Sequence, residues 1–502
     1  MSDDSPGDAD EFEEDLPEQL RIRRAKYDRL MADPERAPFP VGVLRTAGLA
    51  EIRARYPDLG AGEQTGDEVG VTGRVIFVRN TGKLCFATVR EGGVELQLML
   101  SLDRIGTDSL ADWKADVDLG DLVFAHGVVI SSKRGELSVL VDSWRISAKA
   151  LRPLPVAHKP LSEETRVRER YLDLIVRPHA RDMLRIRGAV TRSLRETLHS
   201  RGFLEVETPI LQPVHGGAAA RPFHTHLNAF DLEMSLRIAT ELYLKRCIVG
   251  GLERVFEIGP VFRNEGVDST HSPEYTLLEA YEAYGDYDTM AELTRQLILD
   301  AADAAGVDTA LTAAGAEIDL QGRWRSVAVH DLVSQAVGEQ VGPATGAATL
   351  RTYATRLHVA LKPQWSAGDI VLELYEKLVE PTLVTPTFVR DYPVAVRPLA
   401  RPKRDDPRLA EAWDLVAGGV EIGVAYSELV DPVEQRRRLV EQSLAAANGD
   451  PDAMELDEEF LRALEHGMPP TGGMGLGVDR LIMLLTGKGI RETILFPLIR
   501  PR

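Results

Sequence analysis

Five strand-like runs follow one another between Val69 and Ile146: Val69–Arg79, Leu84–Arg90, Val94–Leu100, Leu122–Ile130 and Leu137–Ile146. Turn residues such as Thr81-Gly82 and Arg134-Gly135 separate them. Five short strands in about 80 residues suit a barrel of the OB type, although the pattern alone fits any small β-barrel. Past a proline-bearing stretch, Ser147 to Pro160, the period changes. Met183, Ile186, Val190, Leu194 and Leu198 recur at spacings of three and four, which predicts a helix from about Arg181 to Ser200, ended by Gly202. Two later stretches, Arg254–Glu265 and Glu274–Tyr284, are strand-like again, with the polar piece Gly266 to Ser272 as a hairpin loop between them. Residues from about Asp286 to Leu311 read as helical.

The 502 residues suffice for two or three domains with a large core, and the 44% hydrophobic and 27% charged fractions are those of an ordinary soluble protein. No apolar run reaches the roughly 18 residues of a membrane span, and the start is acidic where a secretory signal is basic, so a cytoplasmic location is expected. Cys85 and Cys247 sit in separate apolar runs and read as reduced packing residues. The net charge of −19 argues at first against a nucleic-acid partner. Its distribution changes that picture, because eight acids fall in the first fifteen residues and Arg21, Arg23, Arg24, Lys26 and Arg29 follow at once. Residues 1–16 therefore read as an acidic disordered tail, and the basic run as one face of a helix, open to RNA or to solvent.

In the hairpin, side chains two apart on a strand share a face, so Arg263 points with Glu265 and Glu279 with Tyr281, and both pairs could converge on one pocket. A solvated charged face explains any one of these residues. It explains the set poorly, because inward-facing acids and a phenol need partners. Near the C-terminus Gly472, Gly473, Gly475 and Gly477 precede Val478-Asp479-Arg480 and an apolar helix from Leu481. A dinucleotide fingerprint would require a following strand and an acid about 20 residues on, within a βαβ frame.

Phe262-Arg263-Asn264-Glu265-Gly266 with His271 and Glu279-Ala280-Tyr281, together with the stretch from Arg187 to Pro209 and the run from Gly472 to Arg480, resembles the signature motifs of class II aminoacyl-tRNA synthetases. In detail the resemblance is to the bacterial lysyl-tRNA synthetases, over nearly everything after about Gln19. It implies an α+β protein: an antiparallel class II sheet flanked by helices at 161–502, with a helical insertion from Val327 to Leu383. A linker at 151–160 would precede it, and an N-terminal helix with an OB-fold anticodon-binding domain would occupy 17–150. A homodimer built on the Arg181–Ser200 helix and the Phe203–Pro209 strand is also implied.

The reaction implied has two steps. An amino-acid carboxylate attacks the α-phosphorus of ATP and expels pyrophosphate, and the tRNA ribose then attacks the adenylate. By resemblance Arg263 and Arg480 are catalytic, holding the α- and γ-phosphates. Glu265 and His271 contact ATP, and Tyr275, where phenylalanine is usual, stacks on adenine. Magnesium falls to Asp414 and Glu421, with Asp414 in place of a longer glutamate. Glu428 and Tyr281 read the lysine ε-ammonium, Glu241 and Gly216 lie near its α-amino group, and Glu279 and Val424 line the same pocket. Seven residues separate Glu421 from Glu428, and seven is odd, so an irregularity near Gly423 is needed for both to face one way. Arg79, Phe86, Gln97 and Glu136 stand at anticodon-reading positions, so the partners implied are tRNA(Lys), ATP and lysine.

Departures gather around the amino acid. Val424 and Val430 replace asparagines, Val420 an arginine, Ala395 a glutamate and Arg397 a serine, while Thr240, Ser235 and Ser272 replace proline, tyrosine and asparagine. Two other readings stay open: a divergent paralogue acting on a lysine-like amino acid, and a non-catalytic tRNA-binding or regulatory relative. Retention of Arg263, Glu265, Glu279, Glu428 and Arg480 together weighs against the second.

Overall fold

The computed structural model describes residues 18–155, 161–307, 309–312, 315–447 and 454–500. The acidic tail expected at 1–16 and the second half of the linker lie outside the described residues. The chain divides into two compact units, Met1–Arg181 and Asp182–Arg502.

The first unit is built on a closed barrel of the strands Gln64–Asn80, Leu84–Glu91, Val94–Ser101, Leu122–Ser131 and Leu137–Ala148, with the fifth lying between the third and the fourth. Alternation closes it around an apolar interior. Cys85, Ala87 and Val89 face inward on one strand and Leu96, Leu98 and Leu100 on the next, all fully buried. The first strand starts at Gln64 rather than Val69, because Gln64 and Glu68 already pair with the fourth strand. Register shifts between His126 and Gly127 mark a bulge in the pairing of the fourth and fifth strands. A side-chain carbon at Gly127 would lie 2.1 Å from the Leu140 carbonyl oxygen, so only glycine fits there.

The N-terminal helix, Glu18–Met31, turns Arg23, Lys26 and Arg29 of its basic run onto neighbouring groups, while Arg21 and Arg24 stay exposed. Arg23 is buried and donates to the carbonyls of Leu119 (2.8 Å) and Ala150 (2.7 Å). Lys26 pairs with Asp118 at 2.8 Å and Arg29 with Asp116. The cause is local charge balance. Lys149 is buried against both Asp118 (2.5 Å) and Asp121 (2.8 Å), and the surplus of acid in that turn draws cations from the helix.

The second unit centres on an eight-stranded sheet. Its order is Arg325–Ala328, Thr387–Arg390, Ala412–Ala417, Val420–Ser427, Thr471–Gly477, Glu274–Ala283, Arg254–Phe262 and Leu204–Glu205. The pairings are antiparallel except at the two edges, which are parallel. Helices Pro178–Ser200, Tyr287–Ala304 and Val478–Thr486 supply Val190, Leu194, Leu198, Leu293, Leu297 and Leu481 to one core with Leu278, Ala280, Leu415, Met474 and Leu476 of the sheet. Each fully buried leucine contributes roughly 1.5–3 kcal/mol, so this face anchors the unit. The intervening residues, among them Glu279, Tyr281, Gly473 and Gly475, border a cleft. Three further helices, Val329–Val337, Ala347–Arg356 and Ala367–Leu378, form the insertion with its own apolar core.

Several boundaries differ from expectation. The Arg181–Ser200 helix begins at Pro178, where proline's fixed φ suits a first turn, and Gly202 with φ +81 lies just past its end. The helix after Asp286 stops at Ala304, and Ala310–Leu311 is instead a short strand paired with Glu317–Ile318. The strand from Arg254 ends at Phe262, so Arg263 and Glu265 belong to the following loop. Both cysteines are free, Cys85 buried and Cys247 half-buried.

Gly127→Ala should destabilise the barrel by about 1–3 kcal/mol through forced overpacking. The check is thermal unfolding followed by circular dichroism, and an unchanged melting profile would contradict the bulge geometry.

Candidate active site

The closed end of the cleft is a cluster of buried charges. Helix Glu241–Val249 places Glu241 and Lys245 one turn apart, and the Lys245 ammonium lies 2.6 Å from Glu241 Oε1 and against Glu428 Oε2 on its other side. Lys245 is 0% exposed and Glu428 1%. On the neighbouring strand, Glu279 accepts the Thr240 backbone N–H (3.1 Å) on one oxygen and the Tyr281 hydroxyl (3.2 Å) on the other. Two carboxylates thus share one ammonium, the third buried acid has only neutral donors, and Glu428 Oε1 has no hydrogen-bond partner. Burial, followed by the charge of Glu241, pushes the Glu279 carboxyl up to about 7. Burial also raises Glu428, against the opposing pull of Lys245. The Tyr281 phenol is driven well up by burial and then by the nearby acids.

Gly473 makes room for this cluster. A side-chain carbon there would stand 2.0 Å from Glu428 Oε1 and 2.4 Å from Tyr281 Cε1. The glycine-rich run is a strand, with Met474 and Leu476 in the helix-side core and Gly473, Gly475 and Gly477 on the cleft.

The opposite end is cationic. Arg480 begins just inside helix Val478–Thr486 and donates to the Glu421 carbonyl (2.8 Å) and to Glu421 Oε1 (3.2 Å). Its Nη2 lies 3.3 Å from His271 Nε2, and His271 Nδ1 is 2.8 Å from Asp268. Asp479 locks the start of that helix, accepting the Thr276 N–H at 2.7 Å and pairing with Arg187 at 2.5 Å. The Arg263 guanidinium lies 5.5 Å from the Tyr275 ring centroid and donates to the Ile238 carbonyl at 3.3 Å. Arg263, Glu265, His271, Tyr275, Arg480, Glu421, Val424, Glu241, Glu279, Tyr281 and Glu428 all line this one cleft of about 670 Å3. Gly216 stands just outside it, against Leu242, and its neighbour Gly217 is in the wall.

Asp414 and Glu421 are arranged differently from each other. Leu415 pairs with Gly423 but Val416 with Glu421, so Ile422 is an extra residue, and this bulge brings Glu421 and Glu428 to the same side. Asp414 is 4% exposed, is not in the cleft wall, and holds the Arg397 guanidinium at 2.5 Å. Glu421 is in the wall, with Arg480 on it. Each carboxylate of the pair already has an arginine, and among the described residues no group of three or more His, Cys, Asp or Glu side chains is placed to hold a metal. Asp414 Oδ1 is buried without a hydrogen-bond partner, yet with Arg397 on Oδ2 and Asp414 outside the cleft wall the two residues do not fit a two-carboxylate magnesium site in this arrangement. Sequence reasoning missed Lys245, Glu376 and Glu380, the last two of which reach the cleft from the end of the insertion. Burial and then Glu421 raise the Glu380 carboxyl to about 7. The i, i+4 spacing of Glu376 and Glu380 at the end of an apolar helix was the available signal.

Comparison with known proteins accords with this geometry. Residues 162–500 match the family described as tRNA synthetases class II (D, K and N), and residues 69–147 match the OB-fold nucleic acid binding domain. The chain belongs to the class II tRNA synthetases. It is 59% identical to a lysine–tRNA ligase of Kineococcus radiotolerans, over 98% of this chain and 99% of that one. It is 56% identical to a lysine–tRNA ligase of Mycobacterium tuberculosis, over 97% and 98%. A lysylphosphatidylglycerol biosynthesis bifunctional protein of Mycobacterium avium is 51% identical, over 98% of this chain but 42% of its own length.

In this synthetase the barrel's outer face carries the expected anticodon residues. Arg79 pairs in register with Phe86 and its guanidinium lies 5.0 Å from the ring centroid. Phe86 is half-buried between inward-facing Cys85 and Ala87, so it points outward and is not a core residue. Gln97 on the third strand pairs with Ser138 on the fifth, and exposed Glu136 lies at the entry to that strand, beside Arg53 at 3.1 Å. The four therefore mark a strip running across four strand positions of the barrel.

Gly473→Ala should displace Glu428 and Tyr281 and reduce amino-acid-dependent pyrophosphate exchange by two orders of magnitude or more, while the sheet still folds. Exchange within a few-fold of wild type in folded protein would contradict the contact.

Proposed function

We propose that this synthetase is a lysine–tRNA ligase: it activates lysine with ATP and transfers it to tRNA(Lys). The observation that carries this reading is the charge surplus at the closed end, where Glu241 and Glu428 hold the buried Lys245 between them and a third buried acid, Glu279, is held only by the Thr240 amide and the Tyr281 hydroxyl. With all four ionised the cluster carries an excess of two negative charges. Lysine brings two ammonium groups, and its carboxylate is left for the arginine end. An aspartyl or asparaginyl substrate would call for cationic groups where Glu428 stands.

One carboxylate oxygen of lysine forms a bond to the α-phosphorus of ATP as the bond to the pyrophosphate oxygen breaks. The ribose hydroxyl of tRNA then attacks the adenylate carbonyl, and AMP leaves. No protein nucleophile is needed. Arg263 and Arg480 are proposed to hold the phosphates and spread their charge, with Glu265 and His271 beside them and Tyr275 stacked on adenine. Fixed donors of this kind act by position and electrostatics. Magnesium accompanies ATP in this family, where it would neutralise phosphate charge. The OB barrel with Arg79, Phe86, Gln97 and Glu136 is proposed to read the anticodon, in a cytoplasmic homodimer.

A second reading, a paralogue that charges lysine or a close analogue for another purpose, is suggested by Val424, which lines the cleft where the family has an amide, and by the 51% identical bifunctional relative, but the 56–59% identical ligases favour the first. Pyrophosphate exchange with lysine, ornithine and other amines separates the two. Selective use of lysine at ordinary affinity supports the ligase, whereas preference for another amine supports the paralogue, and no exchange with any amine overturns both.

The raised Glu279 carboxyl gives a pH dependence of known sign. Binding a diammonium ligand requires the charged carboxylate, so protonation below about 7 opposes lysine. The Michaelis constant for lysine should therefore fall roughly tenfold between pH 6 and pH 8, since one pKa unit corresponds to about 1.4 kcal/mol. A flat profile would sink the charge-surplus account. Phe86→Ala should raise the Michaelis constant for tRNA by roughly five-fold or more, given about 1–3 kcal/mol per stacked base, and leave tRNA-independent exchange intact. Equal loss in both steps would assign Phe86 to the fold alone.

A further inference from the structure

Arg397 follows the buried Tyr392 and reaches Asp414 from the cleft side. Its Nη2 donates to Asp414 Oδ2 at 2.5 Å, and the guanidinium lies 4.2 Å from the Tyr392 ring centroid. Arg397 is part of the cleft wall and Asp414 is not, and the guanidinium takes one of the two carboxylate oxygens, leaving the buried Oδ1 without a hydrogen-bond partner. Glu421, Glu376 and Glu380 line the same wall. A hard divalent cation binds through free carboxylate oxygens, and an arginine side chain stays charged at any physiological pH. An ion approaching Asp414 from the cleft would have to displace this cation or sit against it.

We propose that Arg397 takes the place of a divalent cation at Asp414. The fixed guanidinium supplies positive charge at that point of the cleft, and the nucleotide-bound protein holds one divalent ion fewer than a free Asp414 and Glu421 pair would hold. Asp414 then orients Arg397 and is not a metal ligand. The inference rests on the reading of the cleft as a nucleotide site, and its test uses no amino acid, so its outcome is separate from the question of lysine.

The experiment counts Mn2+ bound per chain at saturating α,β-methylene-ATP, from the electron paramagnetic resonance of the free ion, with nucleotide binding verified first by calorimetry. Absence of nucleotide binding by wild type would overturn the synthetase reading itself and this inference with it. Wild type, Asp414→Asn and Arg397→Lys should bind the same number of ions. Arg397→Ser should bind one more, and Arg397→Ser with Asp414→Asn should return to the wild-type count. Loss of an ion in Asp414→Asn alone would overturn the proposal, as would no gain in folded Arg397→Ser. If Arg397→Ser fails to fold, the Asp414→Asn count still decides, because an unchanged number supports the proposal and a lower one refutes it.

Discussion

Keeping three acids out of water with one cation among them is the constraint on which the closed end of the cleft depends. An isolated carboxylate in a low-dielectric interior is strongly disfavoured, and removing one partner of a buried ion pair leaves the other exposed to that cost. Well-packed apolar residues in place of Glu241, Lys245 and Glu428 would give a fold at least as stable. The cluster is therefore best understood as stability given up for recognition. Its details follow from that trade: Lys245 holds two acids in fixed positions, Tyr281 and the Thr240 amide hold the third, and Gly473 withdraws its side chain so that Glu428 has somewhere to be.

The sheet transmits the constraint to the rest of the second unit. Because side chains alternate, each residue that reaches the cleft is flanked by residues locked into the helix-side core, such as Glu279 between Leu278 and Ala280, or Gly475 between Met474 and Leu476. Precision at the site is inherited from packing beneath it. The arginine end of the cleft uses a helix in the same way, since Asp479 ties the first turn to Arg187 and to the strand amide of Thr276.

What the sequence made legible was mostly local or periodic. The barrel and most of the Pro178–Ser200 helix, expected from about Arg181, follow from spacing, and parity required the irregularity found at Ile422, whereas the glycine run was not read as the strand it forms. Arg263 and Glu265 reach the expected cleft even though they lie beyond the strand assigned to them. The failures share a cause, which is pairing between residues distant along the chain. The basic N-terminal helix stayed open between RNA and solvent because the acids that take up Lys26 and Arg29 lie near residue 118, and Lys245 drew no reading because Glu428 comes far later. Asp414 looked like a ligand because Arg397 read as a mere departure from pattern. The insertion likewise revealed its helices and hid the two glutamates it delivers.

The bulge at Ile422 has a bearing on how such a chain can drift over generations. The side chain of Ile422 packs into the core and is interchangeable in principle with other apolar residues of similar volume. Residue count is another matter. Losing or gaining one residue between Glu421 and Glu428 would invert the facing of one acid relative to the other, which no compensating substitution elsewhere on the strand could restore. This eight-residue stretch should accordingly tolerate changes of letter and resist changes of length, so that the spacing of its two glutamates is a more durable inheritance than the identity of the residues between them.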